Sequence, residues 1–141
     1  GLIRTGINGT NLSELIGELA LNSSEMSNVW CHWIPPASMP ILNPTSATHL
    51  YRIVQESVTN ALKHSQAKNI VITVMPGQVD GQFELRVEDD GKGMVSDSKQ
   101  MGMGLLIMQY RANVLGAKLR LESSEELGTT VICEFRESTG T

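Results

Sequence analysis

From Leu50 to Leu62 the apolar residues Leu50, Ile53, Val54, Val58, Ala61 and Leu62 recur at i, i+3, i+4 spacing, with Ser57 in the same stripe. That pattern makes one wide apolar face, and such a helix is stable only when another element covers it. The period then changes. "NIVITVMP" (69–76) is a run of β-branched residues, and "GQFELRVED" (81–89) alternates apolar with polar. "PGQVDGQ" between them has hairpin chemistry. A long amphipathic helix followed by a hairpin predicts a helix laid on a sheet.

The remaining segments extend that plan. Residues 1–10 read as a lead-in. Leu12, Leu15, Ile16, Leu19 and Ala20 have helical spacing, and Asn11 with Glu14 has the form of a capping box. "VWCHWI" (29–34) predicts a short strand, and "PPASMPILNP" a loop whose prolines exclude regular structure. The long helix is expected to start at Asn43-Pro44 or Thr45 and end near Ser65. After a glycine-rich region, "GLLIMQYRANVL" predicts a helix stopped by Gly116. "AKLRLESS" and "TTVICEFRE" alternate as strands around a turn at "EELG". The order α-β-α-β-β-loop-α-β-β predicts one domain over 1–141. The expected fold is a two-layer α/β (α+β) sandwich: a mixed, largely antiparallel sheet covered on one face by about three helices. A doubly wound dinucleotide fold would alternate more strictly.

Composition excludes several classes. With 141 residues, 40% apolar and 18% charged, the chain should be globular. A net charge of −4 argues against nucleic acid as the main partner, since phosphate backbones are bound by basic surfaces. It leaves room for a single nucleotide on a local patch. Cys31 and Cys133 make neither a disulfide framework nor a metal motif, and read as small buried hydrophobes in a reducing compartment. No apolar run approaches the ~18 residues of a membrane span, and no signal-peptide pattern opens the chain. The expectation is a cytoplasmic domain excised from a longer parent, which could itself be membrane-anchored, with no membrane contact by the domain.

The polar side of the long helix is also patterned. At about 100° per residue, Asn60, Lys63 and His64 fall at about 40°, −20° and 80° from Glu56, in one stripe bordering the apolar face. A solvated face would look like this. Yet Asn is a poor residue for a helix interior. Glu56 and Asn60, one turn apart, supply oxygens suited to a hard cation or to activating an attacking group. Lys63 and His64 could add positive charge for phosphates.

The stretch "VEDDGKGMVSDSKQMGMGLL" (87–106) has its own order. Asp89 and Asp90 end a strand. A carboxylate accepts hydrogen bonds only, so it can recognise an amino group such as that of adenine. Gly91 and Gly93 remove side chains so that a flat ring can approach the backbone. "MVSDSKQM" has no periodicity and suits a lid. Gly102 and Gly104 are expected to open a helix, whose free N–H groups bind phosphate. The third glycine of a dinucleotide fingerprint is missing, since residue 107 is Ile.

Four segments taken in order now resemble a family: "RIVQESVTNALKHSQAKNIVITV", "VEDDGKGM", "GMGLLIMQYRANVLGAKLRLES" and "LGTTVICEF". They are similar to the motif boxes of the histidine-kinase ATP-binding domain, of the GHKL group of ATPases. The resemblance runs from about residue 45 to 136, and residues 11–34 fit the family's first helix and strand. "NALKH", the short lid and "MxxRAxxLGA" resemble the nitrate-sensor and degradation-sensor type. The resemblance implies the histidine-kinase ATPase type of sandwich, ATP and Mg²⁺. It implies that Asn60 ligates Mg²⁺, that the catalytic Glu56 polarises the attacking group, and that Lys63 and His64 lie near the phosphates. Asp89 would read adenine, with Gly91 and Gly93 as its glycines. Asp90 stands where the family often has Asn. Gly102 and Gly104 match the second glycine box, and Thr129 would join Asp89 at the base, often through water.

The family's phosphate-accepting His lies on a dimerisation helix among charged residues. His32, His49 and His64 all lack that context. The dimerisation/phosphoacceptor domain is therefore expected outside this chain, which should bind ATP without phosphorylating itself. The resemblance further implies a homodimeric parent sensor kinase in a two-component system, acting on a response regulator of helix-turn-helix type. An anti-sigma-factor-like serine kinase of the same group, or a nucleotide-binding pseudokinase module, are the alternatives.

Overall fold

The computed structural model of the chain describes residues 6–92, 99–124 and 126–138. The elements are α1 (Leu12–Ser27), β1 (Trp30–Ile34), α2 (Pro44–His64), β2 (Asn69–Pro76), β3 (Gln82–Asp89), α3 (Lys99–Leu115), β4 (Lys118–Ser124) and β5 (Gly128–Arg136). The strands form one sheet in the order β1-β2-β3-β5-β4. β1 is parallel to β2, and every other neighbouring pair is antiparallel. This is the expected order and the expected mixed sheet.

Local chemistry sets the helix ends. Asn43 Oδ1 accepts the Ser46 N–H at 2.8 Å, and Pro44 occupies the first helical position, where its missing N–H costs nothing. α2 runs to His64 with Ser65 as its cap. α3 ends at Gly116, whose φ is +68°. The Gly116 N–H reaches Asn113 O at 3.1 Å and the Ala117 N–H reaches Ala112 O at 2.8 Å, the paired bonds of a Schellman stop. α1 corrects one expectation. Asn11 is its N-cap residue, but its side chain makes no cap bond. Asn11 Oδ1 instead accepts the Asn8 N–H at 2.8 Å, so no capping box forms with Glu14.

The core lies between the helices and one face of the sheet. α2 buries Ala47, Leu50, Ile53, Val54, Ser57, Val58 and Ala61, the stripe its sequence predicts. Register aligns the strand residues beneath it in rows. One row is Trp33–Ile72–Val87–Val131–Leu121, the next is Val74–Leu85–Cys133–Leu119, and Phe83 pairs with Phe135 beyond. Both cysteines are free and buried, and burial pushes the Cys31 thiol up to about 11 and the Cys133 thiol to about 12. The opposite face carries charge: Arg86 pairs with Glu84 and Glu88, and Arg120 with Glu134.

β1 is an edge strand, whose unpaired backbone groups could template another strand. Ser24 of α1 blunts it. Its hydroxyl oxygen accepts the Cys31 N–H at 2.9 Å and lies 3.2 Å from the Cys31 carbonyl, to which it can donate. Among the described residues, no helix is long and apolar enough to cross a membrane.

Candidate functional site

The covered face of the sheet ends in a polar row. Asp89 on β3 is the register partner of Thr129 on β5, and Thr129 is the partner of Ser123 on β4. In the rows behind it, this face is apolar or Cys among the described residues. A carboxylate here is half withdrawn from water. Burial raises the pKa of Asp89, opposed chiefly by the hydrogen bond from the Gly91 N–H and less by the neighbouring Ser65 and Thr129. The Gly91 bond is 2.9 Å long. Such a group keeps acceptor capacity for an incoming donor and gains more from it than an exposed carboxylate would.

Asp90, one residue on, does something different. It accepts the Lys68 N–H at 2.8 Å, the Asn69 N–H at 2.9 Å and Asn69 Nδ2 at 2.8 Å. These bonds, led by the Asn69 side chain, hold its carboxyl below the usual carboxylate range. Asp90 therefore ties the end of β3 to the start of β2, while Asp89 turns into the domain.

Between the polar row and the helices lies a narrow cleft. α2 contributes Ser57, Asn60 and Ala61, with Ser65 at its end; α3 contributes Leu105 and Met108; the sheet contributes Val87, Leu121 and Val131 beside Asp89 and Thr129. Two apolar walls with an acceptor and a hydroxyl at one end suit a flat ring that carries polar groups along one edge. The floor is tied across the helices: Ser57 Oγ lies 3.3 Å from Met108 Sδ. α2 and α3 run antiparallel here, since Arg111 Nη1 meets His49 Nδ1 at 3.2 Å further along.

Glycines set the closest approaches. A Cβ at Gly91 would overlap the Ser65 carbonyl oxygen and hydroxyl, and the Lys92 N–H donates to that carbonyl at 2.8 Å. The loop after β3 thus lies directly on the end of α2. A Cβ at Gly104 would overlap Glu56 Oε1 and stand 3.3 Å from Asn60 Nδ2. Gly104 therefore brings α3 against the polar stripe of α2 at the mouth of the cleft.

Of the residues singled out in the sequence, Asn60, Asp89 and Thr129 line one cleft, with Glu56 and Gly104 beside it. Lys63 and His64 close the last turn of α2 and are not among the lining residues; Lys63 is exposed and His64 half-buried. Gly102 is exposed, with open space where a Cβ would be. Gly102 and Gly104 do not open their helix. α3 starts at Lys99, because Lys, Gln and Met before Gly102 are good helix formers. Gly93 and residues 94–98 of the expected lid lie outside the described residues, and 99–101 belong to α3. Ser65 and Ser123 were not singled out. Their hydroxyls carry no local signal, and only the packing of the β3 loop and the strand register brings them to the site.

Among the described residues no group of three or more His, Cys, Asp and Glu could hold a metal ion. The donors present still fit Mg²⁺. That ion keeps several waters and takes one or two protein oxygens together with substrate phosphates. Asn60 and Glu56, one turn apart and both close to Gly104, offer that donor set.

Comparison with known proteins shows the family and the fold. The family model described as histidine kinase-, DNA gyrase B- and HSP90-like ATPase matches residues 45–139. The chain is 37% identical over 121 residues to "Sensor protein NarQ homolog" of Haemophilus influenzae, covering 85% of this chain and 20% of that protein. It is 38% identical over 103 residues to "Nitrate/nitrite sensor protein NarX" of Escherichia coli (strain K12), covering 72% of this chain and 16% of that protein. The chain thus spans a fifth or less of the length of these relatives. The solved ATP binding domain of PrrB from Mycobacterium tuberculosis has the same fold, with a TM-score of 0.69 at 18% identity, over 91% of this chain and 95% of that one.

Proposed function

Because the chain belongs to the histidine kinase-, DNA gyrase B- and HSP90-like ATPase family, we propose that it is the ATP-binding catalytic domain of a two-component sensor histidine kinase. The observation that carries this reading is the meeting of Asp89 and Thr129 with Asn60 around one cleft, with Glu56 against Gly104 at its mouth. Adenine enters between the apolar walls and gives its exocyclic N–H to Asp89, while Thr129 meets the neighbouring ring nitrogen. The ribose and phosphates then extend toward Asn60 and Gly104. Lys63, at the C-terminal end of α2, adds positive charge on that side with His64 beside it, and Gly91 lets the loop after β3 lie on Ser65 at the edge of the base pocket. Gly102 leaves open space beside α3, and Gly104 lets Glu56 and Asn60 approach α3 on the phosphate side.

Mg²⁺, when bound with the nucleotide, neutralises charge on the phosphates; Asn60 is the residue that holds it. The acceptor is an imidazole on a dimerisation/phosphoacceptor domain of the parent. Its nitrogen forms a bond to the γ-phosphorus as the bond from that phosphorus to the ADP oxygen breaks. Glu56 takes the imidazole proton and orients the ring. Most of the rate comes from holding the two reactants in line. The parent is a homodimer that signals to a response regulator of helix-turn-helix type, and the domain works in the cytoplasm.

The test is phosphate transfer in trans. The chain alone should bind ATP with Mg²⁺ and take up almost no labelled phosphate. Adding the parent's dimerisation domain should produce label in an acid-labile, base-stable linkage. Glu56→Gln should reduce that label far more than it reduces ATP binding. Label on serine would favour the serine-kinase alternative, and ATP binding without any transfer a pseudokinase. Efficient self-labelling of the chain alone would overturn the proposal.

A further inference from the structure

We infer that Arg52 and Arg111 dock the phosphoacceptor domain: together they hold a carboxylate of that domain beside Glu56, on the side away from the nucleotide. The inference rests on the kinase reading above. Arg52 is exposed on α2, one turn before Glu56 and about 40° from it around the helix. Its Nη1 donates to Gln55 Oε1 at 2.7 Å, and its guanidinium carbon stands 5.8 Å from the centre of the Tyr51 ring. Arg111 donates from α3 to His49 Nδ1 on α2 at 3.2 Å. It lies about two turns after Gly104, on the face of α3 that Gly104 presents to Glu56. Burial, and then Arg111 itself, lowers the His49 pKa, so this imidazole is neutral at neutral pH. Both arginines are thus charged groups held by neutral partners. Among the described residues neither is in an ion pair, whereas Arg86 and Arg120 on the outer face of the sheet are both paired with glutamates. In a chain of net charge −4, two cations left without a carboxylate on one crevice suit an acidic group from outside.

The place of these cations fits the approach of the acceptor. Transfer needs the imidazole in line with the breaking bond to ADP. The base end of the nucleotide is at Asp89 and its phosphates reach Asn60, so the imidazole arrives from beyond Glu56. In that direction along α2, Arg52 lies about 6 Å past Glu56, and His49 with Arg111 about 10 Å past it. A domain that brings its imidazole to Glu56 therefore covers both arginines. Beside Arg111, α3 exposes Ile107, Tyr110 and Val114, which suits a protein surface and not a small anion. A carboxylate on that surface is repelled by Glu56 and by the triphosphate, and the two guanidiniums offset the repulsion. Each offers a planar fork of donors that matches a carboxylate. Gln55 and Tyr51 hold the Arg52 fork in place before the partner arrives, which lowers the entropy lost on docking.

The experiment measures labelled-phosphate transfer from this chain to the parent's dimerisation domain, with ATP saturating and that domain varied. Arg52→Ala should raise the KM for the domain roughly threefold to tenfold, with kcat and the calorimetric ATP affinity unchanged. Arg52→Lys should recover part of the loss, and the gap from wild type should shrink as salt is raised. Arg111→Ala should raise the same KM. Thermal melting reports its fold separately, and the exposed Arg52 keeps the test valid if Arg111→Ala unfolds. Changing the surface carboxylates of the dimerisation domain to amides one at a time should find one whose loss raises KM for wild type and not for Arg52→Ala. Four results would each overturn the inference: a wild-type KM in Arg52→Ala, a fall in kcat alone, weaker ATP binding in Arg52→Ala, which would make Arg52 a phosphate ligand, or no carboxylate coupled to Arg52. In all four the kinase reading stands. If wild type transfers nothing at any concentration of the domain, the kinase reading itself fails and the docking site with it.

Discussion

Asp89 and Thr129 stand directly opposite each other on β3 and β5, and both line the cleft between the sheet and the helices. With Ser123 beside Thr129, the pair forms the polar end of an otherwise apolar sheet face. Replacing Asp89 by Asn turns half of that acceptor into a donor, which meets the donor of an adenine amine. ATP and ADP binding should weaken together, by about 2–3 kcal/mol. Calorimetry on folded Asp89→Asn checks this, and unchanged affinity would remove Asp89 from the site.

The same residue predicts a stability cost. Burial raises the Asp89 pKa in the folded chain, so the folded state binds its proton more tightly than the unfolded state does. Stability from this group is fully present below the ordinary carboxylate range and is lost as pH rises through the folded pKa. Without nucleotide, Asp89→Asn should therefore melt no lower than wild type at neutral pH. Its advantage should shrink as the pH falls toward the ordinary carboxylate value. Melting curves across that range, at constant ionic strength, show the trend.

Asp90 has the opposite sign. Its carboxyl is held low by Asn69 and Lys68, so its contribution is present above the ordinary carboxylate range and is lost as pH falls through the folded pKa. Asp90→Ala leaves the Lys68 and Asn69 N–H groups without their acceptor. By analogy with a lost helix cap, the variant should be less stable by ~1 kcal/mol at neutral pH. The difference from wild type should narrow in acid. Denaturant unfolding at two pH values tests both halves.

Two glycines separate a backbone constraint from a side-chain one. At Gly91 an added methyl meets the Ser65 backbone, so Gly91→Ala must shift the β3 loop and should cost about 1–3 kcal/mol. At Gly104 the methyl meets the far end of the Glu56 side chain, which can swing aside. Helix propensity favours Ala over Gly by up to ~1 kcal/mol, so Gly104→Ala should fold at least as well as wild type. It should nevertheless lose transfer activity in trans, because Glu56 is displaced. Melting and labelling measured side by side distinguish the two.

Asn60→Ala removes one oxygen from the stripe on α2. The enhancement of ATP affinity by Mg²⁺ should shrink, while metal-free binding is largely kept. An equal Mg²⁺ effect in wild type and variant would reduce the stripe to a solvated face.

The sequence by itself determined the order of the elements, the buried face of α2, the start of α2 at Asn43-Pro44 and the stop of α3 at Gly116. These are local properties, carried by residues within a turn or two of each other. The motif boxes likewise pointed to Asp89, Asn60 and Glu56 before any packing was known. Tertiary structure decided what those residues meet. β5 lies between β3 and β4, so Thr129 stands beside both Asp89 and Ser123. No spacing along the chain predicts that register. The two adjacent aspartates look alike in sequence, but the pleat of β3 sends one into the cleft and the other to the start of β2. Asn11 and Glu14 have the letters of a capping box, yet Asn8 takes the Asn11 oxygen first. Gly102 and Gly104 read as a helix start, yet their neighbours carry α3 back to Lys99. In each case the local signal was real, and a partner distant in sequence or a competing neighbour determined how it was used.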